Sequence, residues 1–153
     1  MTGITTARRQ RRSTIAATIG VLMVQSALAG PPTSPVGLWK TFNDDRQPTA
    51  LVRISETGGV FSGKVEKILL GDPAIKCAAC PADDPRKDKP VLGMTILQGL
   101  KKDGDVYAGG TVLKVAEGRI AKAELRLTDG GQRLELTGRV GLFSKKAVWA
   151  RED

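Results

Sequence analysis

Three constellations in this sequence carry residue types capable of chemistry: Cys77-Ala78-Ala79-Cys80 and the adjacent carboxylates Asp44-Asp45 and Asp83-Asp84. A Cys-x-x-Cys can form a disulfide, run dithiol exchange or supply half of a zinc site, and paired carboxylates can divide general acid and base roles. The chain contains no histidine. Two cysteines alone therefore cannot complete a four-ligand zinc site, and Pro81 stands where covalent haem attachment needs a histidine. Hydrolysis with a histidine base is excluded for the same reason. A redox Cys-x-x-Cys wants its first cysteine at a helix N-terminus in an α/β fold, and no such pattern surrounds Cys77. What remains is a structural disulfide between Cys77 and Cys80, a local clasp worth about 2 kcal/mol for so short a closed loop. Both aspartate pairs lie among turn formers and read as solvated turn residues. No Gly-x-Ser-x-Gly elbow or phosphate-cradling loop appears. The expectation is a protein that is not an enzyme, with no metal and no cofactor.

The elements that must hold these residues are strands. Apolar alternation over 36–42, 50–55, 60–70, 94–100, 106–113, 119–128, 133–140 and 147–151 gives eight of them. Turn signals such as Asn43-Asp44-Asp45, Gly58-Gly59, Asp103-Gly104-Asp105 and Asp129-Gly130-Gly131 separate most of them. No helical period follows residue 29. The single long connection is 71–91, which holds the cysteines, four prolines and a charged run from Asp83 to Lys89.

In the sixth and seventh strands, a turn at Gly130-Gly131 sets Leu127 opposite Leu134, Arg126 opposite Glu135, Leu125 opposite Leu136 and Ala123 opposite Gly138. One face is then apolar and the other charged. Gly63, Gly109, Gly110 and Gly138 fall inside strands, where a sharply coiled sheet needs bends. The fold class expected is all-β: a small eight-stranded antiparallel up-and-down barrel. Its closure should bring the opening Gly37-Leu38-Trp39 to the terminal Trp149-Ala150-Arg151, with Arg151 stacked on Trp39.

Residues 1–29 read as a signal peptide: Arg8, Arg9, Arg11 and Arg12 precede a ten-residue apolar run and the small-residue site Ala27-Leu28-Ala29. Ten apolar residues are half of what a spanning helix needs, so the mature chain is not expected to cross a membrane. Pro31 follows Gly30, so no thiol is present for lipidation. The expected location is the periplasm after cleavage at Ala29, by either the general or the twin-arginine route. Residues 30–35, with three prolines, read as an extended tether, and 36–153 as the barrel domain. Removing four leader arginines lowers the net charge from +8 to +4, with 20 basic against 16 acidic residues of mixed sign. Nucleic acid is not expected as a partner. Six aromatics are too few for a sugar- or base-stacking platform. A monomer is expected.

Taken together, Gly37-Leu38-Trp39-Lys40-Thr41, Gly63-Lys64-Val65, the Cys77 to Cys80 loop, Gly93-Met94, Leu97-Gln98-Gly99-Leu100, Gly109-Gly110, Leu134-Glu135-Leu136-Thr137-Gly138 and Trp149-Ala150-Arg151 resemble domain-of-unknown-function family number 2147, over about residues 36 to 151. That resemblance implies a small exported bacterial protein and no particular activity. The Gly-x-Trp opener and terminal Arg also look like the signature of lipocalin-like barrels, in which the Arg packs across the Trp. After Gly110 the sequence departs from the family: an Asp-Pro and a Gly followed by an aromatic are replaced by Leu113-Lys114-Val115-Ala116-Glu117-Gly118-Arg119-Ile120, so no functional residue is carried over there.

Two functions follow from such a barrel. The first is binding of a small apolar or amphipathic ligand in a pocket lined by Ala121, Ala123, Gly138 and Val140, where small side chains thin the interior beneath the 71–91 loop. The second is a structural or interaction module of the cell envelope with a solid core and no ligand.

Overall fold

A computed structural model describes residues 32–153, together with Gly3 and Gly30; the expected signal peptide lies outside the described residues. Eight strands form one closed antiparallel barrel in sequence order. They are β1 (Gly37–Phe42), β2 (Pro48–Thr57), β3 (Val60–Ile68), β4 (Thr95–Asp103), β5 (Val106–Lys114), β6 (Arg119–Thr128), β7 (Arg133–Val140) and β8 (Phe143–Arg151). The up-and-down order places the start of β1, the end of β8 and the β6–β7 turn at one end. The 69–94 connection and the β5–β6 and β7–β8 turns lie at the other.

The β6–β7 register pairs Leu127 with Leu134, Arg126 with Glu135, Leu125 with Leu136 and Ala123 with Gly138, as alternation dictates. Their apolar members point into the barrel because a one-residue slip would send every leucine to water. The turn itself is wider than two residues. Thr128 and Arg133 are the last pair, and Asp129, Gly130 and Gly131 all take positive φ in a single 3-10 turn. β8 begins four residues earlier than expected, since Val140 pairs with Phe143 across a tight Gly141-Leu142 turn. Register shifts at Phe61/Gly63 and Tyr107/Gly110 put two of the strand glycines at bends of the sheet.

The core is continuous. Trp39, Val52, Ile54, Leu97, Leu100, Leu125 and Leu134 are fully buried, and Phe61 meets Tyr107 edge to face at 4.8 Å between centroids. Val91 joins this cluster from the 69–94 connection.

The seam between β1 and β8 is the shortest ladder, with Trp39 opposite Arg151 and Lys40 opposite Ala150. Side chains complete it. The Arg151 guanidinium carbon lies 4.3 Å from the Trp39 ring centroid. Its Nε donates to Gly131 O at 2.8 Å, Nη1 to Val36 O at 3.0 Å and Nη2 to Ser34 O at 2.8 Å. Gly37, at φ 145°, leaves the space that Nη1 occupies; a Cβ there would collide with it.

The segment expected as a free tether is docked in its described part. Pro35 is fully buried, Trp39 Nε1 donates to its carbonyl at 2.8 Å, and Tyr107 Oη donates to Thr33 O at 3.3 Å. The chain bends at Ser34 and Pro35, and the consecutive carbonyls of Thr33, Ser34 and Pro35 accept from Tyr107, Arg151 and Trp39.

Arg151→Met should therefore destabilise by about 3 kcal/mol or more, because three carbonyls lose a charged donor. A double-mutant cycle with Trp39→Phe in denaturant unfolding should give a coupling of about 0.5–2 kcal/mol. Additive single-mutant effects would separate the guanidinium from the indole energetically.

Candidate functional site

The end opposite Trp39 and Arg151 holds every residue that the sequence offered for chemistry, together with the two open clefts. Its cover is the 69–94 connection, which the sequence leaves as a loop and which folds into a compact cap. Cys77 and Cys80 are disulfide-bonded, with Cα atoms 5.4 Å apart, and both are buried. They pack with Met94 and Leu113 as a small second core. Cys77 N donates to Lys89 O, Asp88 N to Cys77 O and Val91 N to Ile75 O, so the disulfide sits at the centre of the cap's hydrogen bonding. The cap rests on the β5–β6 turn. A Cβ at Gly118, whose φ is 61°, would run into the carbonyl of Ala79, so only glycine allows this approach.

Asp84 corrects its reading as a solvated turn residue. Its side chain is 5% exposed and accepts from Arg86 Nε at 2.9 Å, Arg86 Nη2 at 2.7 Å and the Arg86 backbone N at 2.8 Å. Arg86 Nη1 in turn donates to Thr95 O at 3.2 Å, which ties the cap to β4. The side-chain hydrogen bonds from Arg86, then its backbone N–H and its charge, hold the Asp84 carboxyl down at about 2. This geometry is a clasp: both carboxylate oxygens are occupied, and neither is presented to a substrate. Asp44 is exposed and pairs with Lys145 Nζ at 3.0 Å. Among the described residues, no three of His, Cys, Asp and Glu come together as a metal site.

The four residues expected to line a pocket divide. Ala121 and Val140 border an open cleft of about 520 Å³, together with Thr111, Ile120, Lys122, Arg139 and Gly141. Ala123 does not; it is buried in the packed core. Gly138 is half-buried, and a Cβ added to it would already be in ordinary contact with Ala121 Cβ at 3.5 Å and Val112 Cγ1 at 3.7 Å. The thin layer is thus closed by approach of its own walls. The cleft is instead a fork in the wall. Pairing of β6 with β7 stops at Lys122 and Arg139, whereas β7 stays paired with β8 out to Val140 and Phe143. A second cleft of about 620 Å³ runs along the cap, lined by Asp84, Arg86, Met94, Thr95 and Gln98 among others, and shares Ile120 with the first.

The fork has an apolar floor and a cationic rim. Ile120, Ala121 and Val140 supply the floor. Lys122 and Arg139 face one another as direct cross-strand partners, with Thr111 on the other side of Lys122. Arg139 reaches Glu124 only at 3.9 Å. Two cations directly opposite repel, and an anion between them would remove that cost. Neither cation was singled out as a site by the sequence, because the charged face of this hairpin was read as the face turned to water.

A closed eight-stranded antiparallel barrel whose terminal Arg lies across the Trp of a Gly-x-Trp opener has a lipocalin-like fold. The chain belongs to the family described as "Uncharacterized protein conserved in bacteria (DUF2147)", whose model matches residues 37–151. Its fold is similar to that of protein HP1028 from Helicobacter pylori, a protein described as belonging to the lipocalin family. The TM-score is 0.67 at 22% identity, over 78% of this chain and 84% of that one. Comparison with curated proteins gave no match. Among the described residues, no helix is long and apolar enough to cross a membrane.

Two outcomes check the cap. The Asp84 carboxyl is ionised more readily in the fold than in the unfolded chain, so its stabilisation is complete above pH ~4 and is lost as pH falls from ~4 to ~2. Amide protection in 76–94, taken relative to intrinsic exchange at each pH, should fall over that window in the wild type and already be low at pH 7 in Asp84→Asn. Replacing Cys77 and Cys80 together by Ser should cost about 2 kcal/mol or less and loosen the same segment; a global loss of fold in that variant would give the disulfide a larger part than a local clasp.

Proposed function

We propose that this chain is an exported, non-enzymatic, monomeric barrel that binds a small amphipathic anion at its capped end. The apolar tail would lie on Ile120, Ala121 and Val140, and the head group between Lys122 and Arg139. The observation that carries this reading is the fork itself, in which two cations oppose each other over an apolar floor. The lipocalin-like fold supports it, since a barrel of this size can hold one small ligand. The arginine-led apolar leader supports export to the periplasm.

A second reading has an observation in its favour. The barrel interior is packed from Trp39 to Ala121 and Val91 without a break in the buried cluster, as a module that works only through its surface would be.

Titration of a fluorescent fatty acid separates the two readings. Under the proposal the wild type binds it saturably. Lys122→Gln combined with Arg139→Gln then weakens it roughly tenfold, the sum of two exposed ion pairs, while affinity for the matching fatty alcohol is unchanged. Ile120→Ser should weaken both probes. Absence of saturable binding of either probe to the wild type would leave the envelope-module reading.

A further inference from the structure

Exposed apolar side chains are concentrated at one end of this barrel. Of the large hydrophobic residues left in solvent among those described, only Val36 and Val148 lie away from the capped end. Leu142, at the tip of the β7–β8 turn, is 102% exposed, and Phe143 beside it is 84% exposed. Leu69, Leu70, Ile75 and Leu92 stand on the cap at the same end. A turn tip projects outward and cannot enclose a small ligand; it can only enter something else. Leaving a Leu and a Phe fully in water forfeits most of the free energy their burial would provide, and alternation did not require it, since both faces of a tight turn could be polar.

Charge follows the same division. The segments that build this end, 43–47, 67–94, 114–122 and 139–146, carry twelve Lys and Arg against seven Asp and Glu, a net +5. The rest of the described barrel has eight against nine, a net −1. Within 139–146 there are three cations and no acidic residue. Lys145 and Lys146 bracket the apolar tip from the β8 side; they pair with Asp44 and Glu135 but stay mostly exposed, so phosphate oxygens can compete for them.

We infer that the capped end docks on an anionic lipid bilayer. Leu142 and Phe143 enter the boundary between head groups and acyl chains, and the surrounding Lys and Arg face the phosphates. Apolar tips ringed by cations are what such an interface selects, because burial and head-group attraction then add. A second copy is disfavoured as the occupant, since joining the same ends would set +5 against +5. The inference is independent of the fork, which neither Leu142 nor Phe143 lines.

Co-sedimentation with phosphatidylcholine vesicles, with and without phosphatidylglycerol, tests it. The full mature chain should partition onto vesicles containing phosphatidylglycerol, and less so at high salt. Leu142→Ser combined with Phe143→Ser should reduce partitioning roughly tenfold or more, with an unchanged thermal midpoint and unchanged uptake of the fatty-acid probe. Phe143→Trp should keep partitioning, with a blue-shifted emission on vesicle addition. Equal partitioning of the wild type and the double serine variant would overturn the inference, as would no partitioning of the wild type. A dimer in sedimentation equilibrium that the double variant abolishes would also overturn it, by assigning the tip to a second copy. Vesicle binding without probe uptake would uphold it and remove the fork reading alone.

Discussion

The Arg151 guanidinium over the Trp39 indole is the interaction on which the rest of the barrel depends. Closing a sheet requires its first strand to find its last, and here those strands share only two register pairs. Backbone hydrogen bonding at that seam is therefore the weakest point of the ladder. Arg151 spans it with one side chain, stacking on β1 while donating to carbonyls before β1 and in the β6–β7 turn. A guanidinium that is 6% exposed would be a liability if any of its donors lacked a partner. Three carbonyls supply one to each nitrogen, Asp153 adds an ion pair at 3.7 Å, and its carboxylate accepts from the Leu38 backbone and Arg53. Gly37 is the covalent counterpart of this arrangement, since the guanidinium occupies the space of its missing Cβ.

Sealing one end in this way leaves the other to vary. At the Trp39 end, 32–35 covers the barrel, and Arg151, Trp39 and Tyr107 donate to its backbone carbonyls. At the opposite end a cap of some two dozen residues is held by a disulfide, an Asp84–Arg86 clasp and a glycine-tight contact with the β5–β6 turn. These are local devices, each closing a short stretch of chain. They stiffen the cap while its inner side adds a small core of Cys77, Cys80, Met94 and Leu113, so its outer surface is free to carry apolar and charged residues that folding does not need.

How much of this was legible in the sequence depended on how far apart the interacting residues were. The pairing of Leu125 with Leu136 follows from alternation around one turn, and the meeting of Trp39 with Arg151 from the topology of an even-stranded barrel. The disulfide was legible because elimination left little else for Cys77 and Cys80. Asp84 was not, because a carboxylate among turn formers is usually solvated, and its burial depends on Arg86 bridging to Thr95 on another element. The docking of Pro35 was hidden for a similar reason: proline content predicts extension and says nothing about what the extended chain lies against. The pocket residues failed in part on volume. Small side chains at Ala123 and Gly138 suggested space, but the neighbouring wall already stands close, with Ala121 and Val112 in contact range of the position a Cβ of Gly138 would take.

The register of the same wall also bears on why it forks where it does. β6 and β7 stay paired while their outer faces alternate in sign, Arg126 beside Glu135 and Glu124 beside Thr137. The ladder ends at the first position where that face sets cation against cation, Lys122 opposite Arg139. Beyond it, β7 keeps only its β8 partner, and the Val140–Phe143 hairpin projects past the barrel rim. Like-charge repulsion across one rung is modest, a fraction of a kcal/mol to about 1 kcal/mol at an exposed site, yet the last rung of a ladder is held by little more than that. The same two side chains therefore set the end of the sheet, open the cleft between β6 and β7, and give that cleft its charge.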